Sequence, residues 1–304
     1  MLWYEQLDEK VAAYLPDLRI ERDVPMSRYT SFHVGGAARR MAFPATRAQV
    51  VLLLAMAEET GARTLLLGNG TNLLAADEGI DRLVINLSAS LKAMELREGN
   101  CIEAEAGVSL RQLAEFAWQN GLTGLEFAHG IPGSLGGGVC MNAGAYGGEL
   151  GQVVTRAVAV YPDGVRTLSG EDLHLSYRHS VFSDSDGVVL AATVGLTPGD
   201  RDAIRAKMEE LAARRKASQP LDFPSAGSTF KRPEGYFAGK LIDDCGLRGT
   251  TIGGAQVSEK HGGFVINRGG ATCGDVVALI ALVQKTVFEK TGIQLEPEVK
   301  IVKD

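Results

Sequence analysis

The chain has no C-x-x-C pair, no apolar run of membrane-spanning length and no G-x-x-x-x-G-K-[ST] loop. Its four cysteines, Cys101, Cys140, Cys245 and Cys273, are scattered, so neither a zinc cluster nor a redox dithiol is expected, and no metal site is assigned. Unpaired thiols in a chain of this size suit a reducing cytoplasm better than a secreted scaffold. A membrane helix needs about 20 apolar residues, and nothing here approaches that. The start, Met1-Leu2-Trp3-Tyr4-Glu5-Gln6, shows neither the basic segment nor the apolar stretch of a secretion signal. Positive charge is not in excess either. With 31 Lys+Arg against 37 Asp+Glu, the net charge of −6 argues against nucleic acid or an anionic membrane as main partner. The missing Lys-containing loop removes the P-loop NTPases. Internal repeats and low-complexity tails are also absent.

Glycine is abundant, and it is concentrated. Eight of the nineteen residues from Gly130 to Gly148 are glycine. At roughly 0.5–1 kcal/mol lost per glycine in a helix or strand, no regular element is expected there. Such backbone serves tight turns or the close approach of main chain to a flat ligand. Pro132 and Asn142 argue against a floppy linker. A second glycine loop, Gly68-Asn69-Gly70-Thr71-Asn72, leaves the apolar run Thr64–Leu67. It has the character of a phosphate cradle, in which successive N–H groups converge on an anion. It is not a Rossmann fingerprint, because the third glycine of G-x-G-x-x-G is missing. Two such loops together favour a ligand over plain turns.

At 304 residues the chain exceeds what one core usually fills, so two or three domains are expected. Residues 2–15 read as an amphipathic helix with Leu2, Val11, Ala12 and Leu15 inward. His33 reads as a satisfied packing histidine. Thr46 caps a helix stopped by Gly61, Ser109 caps one ending near Asn120-Gly121, and Thr272 caps a long one ending at Thr291-Gly292. Strands are expected at Leu83–Leu87, Cys101–Glu105 and Val188–Leu196, with a hairpin from Val153 to Leu168 around Pro162-Asp163-Gly164. A polar helix spans Arg201–Lys216, a shorter one Ala238–Cys245, and short strands lie within Gly253–Asn267. The closing strand Leu295–Val302 contains Pro297, which confines it to an edge or a bulge. Strands outnumber helices up to residue 196, so the class is α+β with a boundary at Pro198-Gly199-Asp200.

Seven segments, in order, carry a resemblance: Thr30–Gly36, Leu67–Leu74, Gly130–Gly148, Tyr177–Ser180, Gly227–Pro233, Gly254–Asn267 and Leu295–Ile301. Over residues 20–302 the sequence resembles the UDP-N-acetylenolpyruvoylglucosamine reductases, in the shorter form that lacks a tyrosine-bearing loop. The resemblance implies an FAD-binding fold of the vanillyl-alcohol-oxidase type. Its two subdomains (1–75 and 76–198) are followed by a substrate-binding α+β domain (199–292) and a C-terminal strand (293–304) that brings Glu298 to the site. It implies non-covalent FAD, NADPH as co-substrate and UDP-N-acetylglucosamine enolpyruvate as the molecule reduced to UDP-N-acetylmuramate for peptidoglycan.

The resemblance assigns catalysis to Arg178, Ser228 and Glu298: a cation for the substrate carboxylate, a proton donor and a stabilising carboxyl. It lays the FAD pyrophosphate on Gly68, Asn69, Gly70, Thr71 and Asn72, and the ring along Gly133, Ser134, Gly137, Asn142, Ala143 and Gly144. The UDP-sugar falls to Lys231, Arg232, Arg248, Gln256 and His261. Taken alone, Ser228 reads as a turn serine, Arg178 as a structural arginine, Glu298 as an exposed strand carboxylate, and Arg248 and Lys260 as a solvated face. Two rival functions share the motifs: an FAD oxidase or dehydrogenase of a small alcohol or hydroxy acid, and a silent FAD-binding protein.

Overall fold

Five short strands pair into an antiparallel sheet with the spatial order Gly164–Ser169, Val154–Tyr161, Val188–Gly195, Cys101–Glu105, Met94–Arg97. The central strand, Val188–Gly195, is buried along nearly its whole length, which explains an apolar run with no alternation. The first two strands form the expected hairpin, closing at the pair Tyr161–Gly164. A second sheet has the order Arg19–Pro25, Ala37–Phe43, Ile80–Asn86, Thr64–Leu67, with the last two strands parallel.

The computed structural model describes residues 1–304 and divides into two units. The first comprises Met1–Glu21, Arg40–Asn69 and Arg82–Arg214; the second comprises Arg22–Arg39, Gly70–Asp81 and Arg215–Asp304. Each has its own core. In the first, the helix Arg47–Thr60 starts at Thr46, whose hydroxyl accepts from Gln49 N, and stops at Gly61 with φ +69°. Ser109 caps Leu110–Gln119 through a reciprocal bond with Gln112. The helix Arg201–Ser218 contributes Ile204, Met208 and Leu211 to this core. The opening helix, Trp3–Tyr14, buries Leu7 and Val11 with Leu15 beyond its end, while Leu2 and Ala12 are exposed. The expected stripe is thus corrected: Leu2 is the cap residue outside the helix, and Ala12 sits about 100° around from Val11.

In the second unit, three short strands, Thr251–Ile252, Ala255–Val257 and Val265–Asn267, form an antiparallel sheet. The helix Cys273–Thr291 packs on it with Val276, Leu279, Ile280, Val283 and Val287 buried, the 3–4 spacing of one helical face. Its start is doubly held. Thr272 and Asp275 bond reciprocally, and the Asp77 carboxylate accepts from Cys273 N at 2.7 Å and Gly274 N at 2.9 Å. Burial, with Asp77 and Glu78 nearby, pushes the Cys273 thiol up to about 11, so it stays protonated. His33 does not pack. Phe32 and Val34 are buried on either side of it, and it projects outward from a turn with φ +55°.

The glycine-rich stretch departs from expectation, because Leu135–Cys140 is a short helix. Tertiary packing outweighs the helix penalty of three consecutive glycines. A Cβ on Gly136 would lie 2.8 Å from Ala106 Cβ, and one on Gly138 would lie 2.8 Å from Leu150 Cδ1. Leu135 N and Gly136 N donate to the carbonyls of Val108 and Ala106, binding the helix start to neighbouring backbone. The glycines are what allow that approach. Gly136→Ala should therefore lose about 1–3 kcal/mol of stability through overpacking. Gly137→Ala, whose Cβ would meet only Ser134 Oγ at 3.5 Å, should be neutral or stabilising, by up to about 1 kcal/mol. Denaturant unfolding of both variants checks this; equal losses would show that the helix penalty, not close approach, governs the stretch.

Candidate active site

In the first unit, the two glycine loops are joined. Asn69 Nδ2 donates to the Pro132 carbonyl at 2.8 Å, and Ser88 Oγ donates to the Gly68 carbonyl at 3.0 Å. A Cβ on Gly68 would lie 2.2 Å from Ser134 Oγ, so a larger residue there would force the Ser134 hydroxyl to move. Ser134 is 2% exposed, whereas Gly133, Ala143 and Gly144 are half-buried and Gly137 is exposed. All four are glycine or alanine, so the backbone they expose carries at most a methyl group.

Arg178 occupies the second central position of a tight turn. Ser176 and His179 exchange backbone bonds of 3.1 Å each, and Arg178 has φ +55°. A left-handed arginine is a strained choice, of order 1–3 kcal/mol, and persists only when its surroundings over-determine it. They do. Gly144 O accepts from Arg178 Nη2 at 3.3 Å. Asn142 Nδ2 donates to Ser176 O at 2.9 Å, and Ser180 Oγ donates to Cys140 O at 2.8 Å. His179 Nε2 pairs with the Asp184 carboxylate at 2.6 Å. Asn142 itself is fully buried with φ +41°. Its Oδ1 accepts from Gly151 N at 2.7 Å. Both ends of the Asn142 side chain, expected at the flavin, thus bond to backbone of the same unit.

In the second unit, Ser228 and Glu298 come together. Thr229–Lys231 and Glu296–Glu298 run antiparallel, with Glu298 N donating to Thr229 O and Lys231 N to Glu296 O, both at 2.8 Å. Phe230 and Pro297 face each other between these bonds. This is the non-hydrogen-bonded position of an antiparallel pair, so the N–H that proline lacks is not required. Ser228 is exposed next to Gly227, which has φ +74°. Thr229 is 2% exposed and anchors the segment, with its hydroxyl accepting from Val265 N at 2.9 Å and its N–H donating to Gly263 O at 2.8 Å. Asn72 Nδ2 donates to Glu298 O at 3.0 Å. A Cβ on Gly70 would lie 1.9 Å from Tyr29 O, and Ser31 N donates to the Gly70 carbonyl. The N–H groups of Gly70 and Thr71 donate to nothing in the protein. Two adjacent free N–H groups beside a left-handed glycine are the elements of an anion nest.

The residues expected at a UDP-sugar divide. Lys231 pairs with Glu296 at 2.5 Å, and the Arg232 guanidinium lies 4.7 Å from the ring centre of exposed Phe237. Arg248 is committed inside the unit, with its guanidinium on the Asp243 carboxylate and Nη1 donating to Glu259 O. Gln256 Nε2 donates to Gly249 O and Thr251 Oγ1, while its Oε1 is buried without a partner. Lys260 is exposed, in keeping with a solvated face, and its Nζ donates to the Lys216 carbonyl. Thr229 and Ser180 escaped the sequence reading although both lie inside motifs that it marked. Their signal, a hydroxyl next to a charged or reactive position, is too common to single them out.

His261 Nδ1 accepts from Gly263 N at 3.1 Å, which leaves the proton of the neutral ring on Nε2. Burial lowers its affinity for a second proton; Asp243 opposes this and Arg248 adds to it. The unfolded chain takes that proton at about 6.5 and the folded one only at lower pH. Stability from this group is therefore whole above that value and lost as pH falls toward the folded pKa. Between about pH 7.5 and 5.5, His261→Asn, which keeps an acceptor for Gly263 N, should show a shallower fall in unfolding free energy than the parent. Parallel curves would remove His261 from the acid response.

A family model described as FAD binding domain matches residues 38–169. One described as the C-terminal domain of UDP-N-acetylenolpyruvoylglucosamine reductase matches residues 219–302. A UDP-N-acetylenolpyruvoylglucosamine reductase of Limosilactobacillus reuteri is 51% identical, covering 94% of this chain and 96% of its own. Another, from Caldanaerobacter subterraneus, is 48% identical over 98% of each chain. The crystal structure of the Thermus caldophilus enzyme is similar with a TM-score of 0.82 and 34% identity, covering 94% of this chain and all of that one. An alkyldihydroxyacetonephosphate synthase, at 15% identity and a TM-score of 0.51 over 64% of this chain and 40% of its own, shares the fold alone. The fold is α+β, with an FAD-binding region of the vanillyl-alcohol-oxidase type. No helix is long and apolar enough to cross a membrane. A full-length match at these identities, on a chain whose two glycine loops are joined and whose Ser228 and Glu298 adjoin one bridged pair of segments, leads to one conclusion: the chain belongs to the UDP-N-acetylenolpyruvoylglucosamine reductase family, flavin-dependent oxidoreductases of peptidoglycan synthesis.

Proposed function

We propose that the chain uses NADPH and a non-covalently held FAD to reduce UDP-N-acetylglucosamine enolpyruvate to UDP-N-acetylmuramate in the cytoplasm. The observation that carries this reading is the Glu298 N to Thr229 O bond of 2.8 Å, which sets a carboxyl residue beside the exposed Ser228. The residues present suit a flavin nucleotide. Gly70 and Thr71 offer free N–H groups for a pyrophosphate, in a loop completed by Gly68, Asn69 and Asn72. The exposed and half-buried backbone of Gly133, Gly137, Ala143 and Gly144 gives a planar ring a surface without side chains, and buried Ser134 and Asn142 support it from behind. The pyrophosphate loop contains no histidine to form a covalent link. The division we propose has FAD-binding subdomains at 1–75 and 76–198, a substrate domain at 199–292 and a closing strand at 293–304.

Bound FAD supplies hydride chemistry, which side chains cannot provide. Reducing the enolpyruvyl double bond puts negative charge on the carbon beside the carboxylate, and that carbon then takes a proton. Arg178 holds the carboxylate with a permanent, bidentate cation. Ser228 gives its hydroxyl proton to the carbon, and Glu298 stabilises the developing charge. Lys231 and Arg232, three and four residues beyond Ser228, suit the diphosphate of the sugar nucleotide, and His261 and Gln256 suit its polar groups. Arg248 belongs to the same set, with its guanidinium oriented by the Asp243 carboxylate.

The reading is tested by purifying the protein and following its absorption. A yellow protein carrying about one FAD per chain, releasing it on mild denaturation, and oxidising NADPH only when the enolpyruvyl sugar is present, meets expectation. A colourless protein that FAD does not reconstitute, or a flavin that stays attached, overturns it.

Ser228→Ala separates two halves of the cycle. Flavin reduction by NADPH should stay near normal, because no carbon is protonated there. Flavin reoxidation by the enolpyruvyl sugar should slow by about 10²–10⁴-fold, the loss typical of a positioned acid. Rapid-mixing absorbance reads both halves. Unchanged reoxidation would reduce Ser228 to a turn residue and leave Glu298 as the candidate donor.

A further inference from the structure

Three alternate residues of the glycine-rich stretch bond to the turn that carries Arg178 or to the segment just after it. The Cys140 carbonyl accepts from Ser180 Oγ and Ser183 Oγ, both at 2.8 Å. The Asn142 amide reaches Ser176 O at 2.9 Å, and the Gly144 carbonyl accepts from Arg178 Nη2 at 3.3 Å. Of these, only Asn142 uses a side chain of the stretch, and that side chain is fully buried. Its two ends are both engaged: Oδ1 takes Gly151 N at 2.7 Å, and Nδ2 gives to Ser176 O. Ser176 O also accepts from His179 N, so the amide bonds to the very carbonyl that closes the turn.

We propose that Asn142 is the positioning residue for Arg178: it acts on the carboxylate of the substrate through the turn, and it is not a contact of the flavin. The proposal rests on Arg178 receiving that carboxylate, as argued above. The physical case has three parts. Arg178 holds a left-handed φ that costs strain, so the turn relaxes unless held. Ser176 O already has one turn bond, and its second acceptor position is filled by the Asn142 amide, whose other end accepts from Gly151 N. Asn142 is itself left-handed, a conformation that asparagine, aspartate and glycine tolerate and most residues do not. The residue type therefore follows from backbone and donor demands together. A buried amide held at both ends by backbone transmits position accurately, because neither end can rotate without leaving a buried polar group unpaired.

Asn142→Asp is the incisive variant. It keeps the shape, the tolerance for left-handed backbone and the acceptor for Gly151 N. It replaces the donor facing Ser176 O by an acceptor. Equilibrium binding is measured on the flavin-loaded protein with two ligands, the enolpyruvyl sugar and UDP-N-acetylglucosamine, which lacks the carboxylate. Asn142→Asp should weaken the first about tenfold, the loss expected when one charge-assisted contact is misplaced, and leave the second within about twofold. In a double-mutant cycle, Asn142→Asp added to Arg178→Ala should cost little more than Arg178→Ala alone, because its effect runs through that arginine. Should Asn142→Asp fail to fold, Asn142→Gly carries the same comparison, since it accepts the backbone angle and removes both bonds. Equal weakening of both ligands, losses that multiply in the cycle, or flavin loss with ligand binding intact would each overturn the proposal. If the parent binds the enolpyruvyl sugar no better than UDP-N-acetylglucosamine and Arg178→Ala changes nothing, the role of Arg178 falls first, and this inference with it.

Discussion

Backbone can approach backbone only where no Cβ intervenes, and the first unit is built on that constraint. Gly68 lies on Ser134, Gly136 on Ala106, Gly138 on Leu150, and Gly148 on Phe127, each closer than a side chain would permit. Interiors are packed to crystalline density, so a methyl group in any of these places would force neighbours apart. Because the glycines let the loops touch, Asn69 reaches Pro132 and Asn142 reaches Ser176. Remove the close approach and the hydrogen bonds that shape the candidate site lose their geometry.

The second unit solves a different problem, which is to hold an exposed hydroxyl on rigid backbone. Ser228 follows a left-handed glycine and would be mobile by itself. Thr229 anchors it with three bonds, to Gly263, Val265 and Glu298. Pro297 lies where the pairing asks for no N–H, so the chain tolerates it between Glu296 and Glu298. From there the chain continues into Lys300–Val302, parallel to Leu73–Ala75, and Asn72 bonds back to Glu298. The carboxyl residue, the serine and the end of the glycine loop thus belong to one bonded framework.

Electrostatics in the molecule are mostly internal. Arg248 is neutralised by Asp243, Lys231 by Glu296, and buried Arg40 by Asp8 at 2.9 Å beneath the ring of Tyr4. A net charge of −6 is therefore compatible with a site for anionic substrates. Such a site depends on where single cations are held, not on the overall balance.

Local chemistry was legible in the amino-acid order. Thr46, Ser109 and Thr272 mark helix starts because a cap needs only its own first turn, and Gly61 and Gly292 mark ends because left-handed backbone favours glycine. The hairpin around Pro162-Asp163 and the buried strand Val188–Gly195 were legible for the same reason, and the ordered motifs carried the family. Contacts across the chain were not. Leu135–Cys140 became a helix because Ala106 and Val108 hold its start, against its own glycine content. His33 turned outward because Phe32 and Val34 fill the core on either side of it. The two backbone bonds of buried Asn142 were hidden as well, since its partners Gly151 and Ser176 lie nine and thirty-four residues away. The sequence by itself determined the caps, the turns and the residue types available for chemistry. Which of those residues face outward, and which hold the others in place, was decided only by tertiary packing, because burial and long-range hydrogen bonds are properties of neighbours that the order of residues does not name.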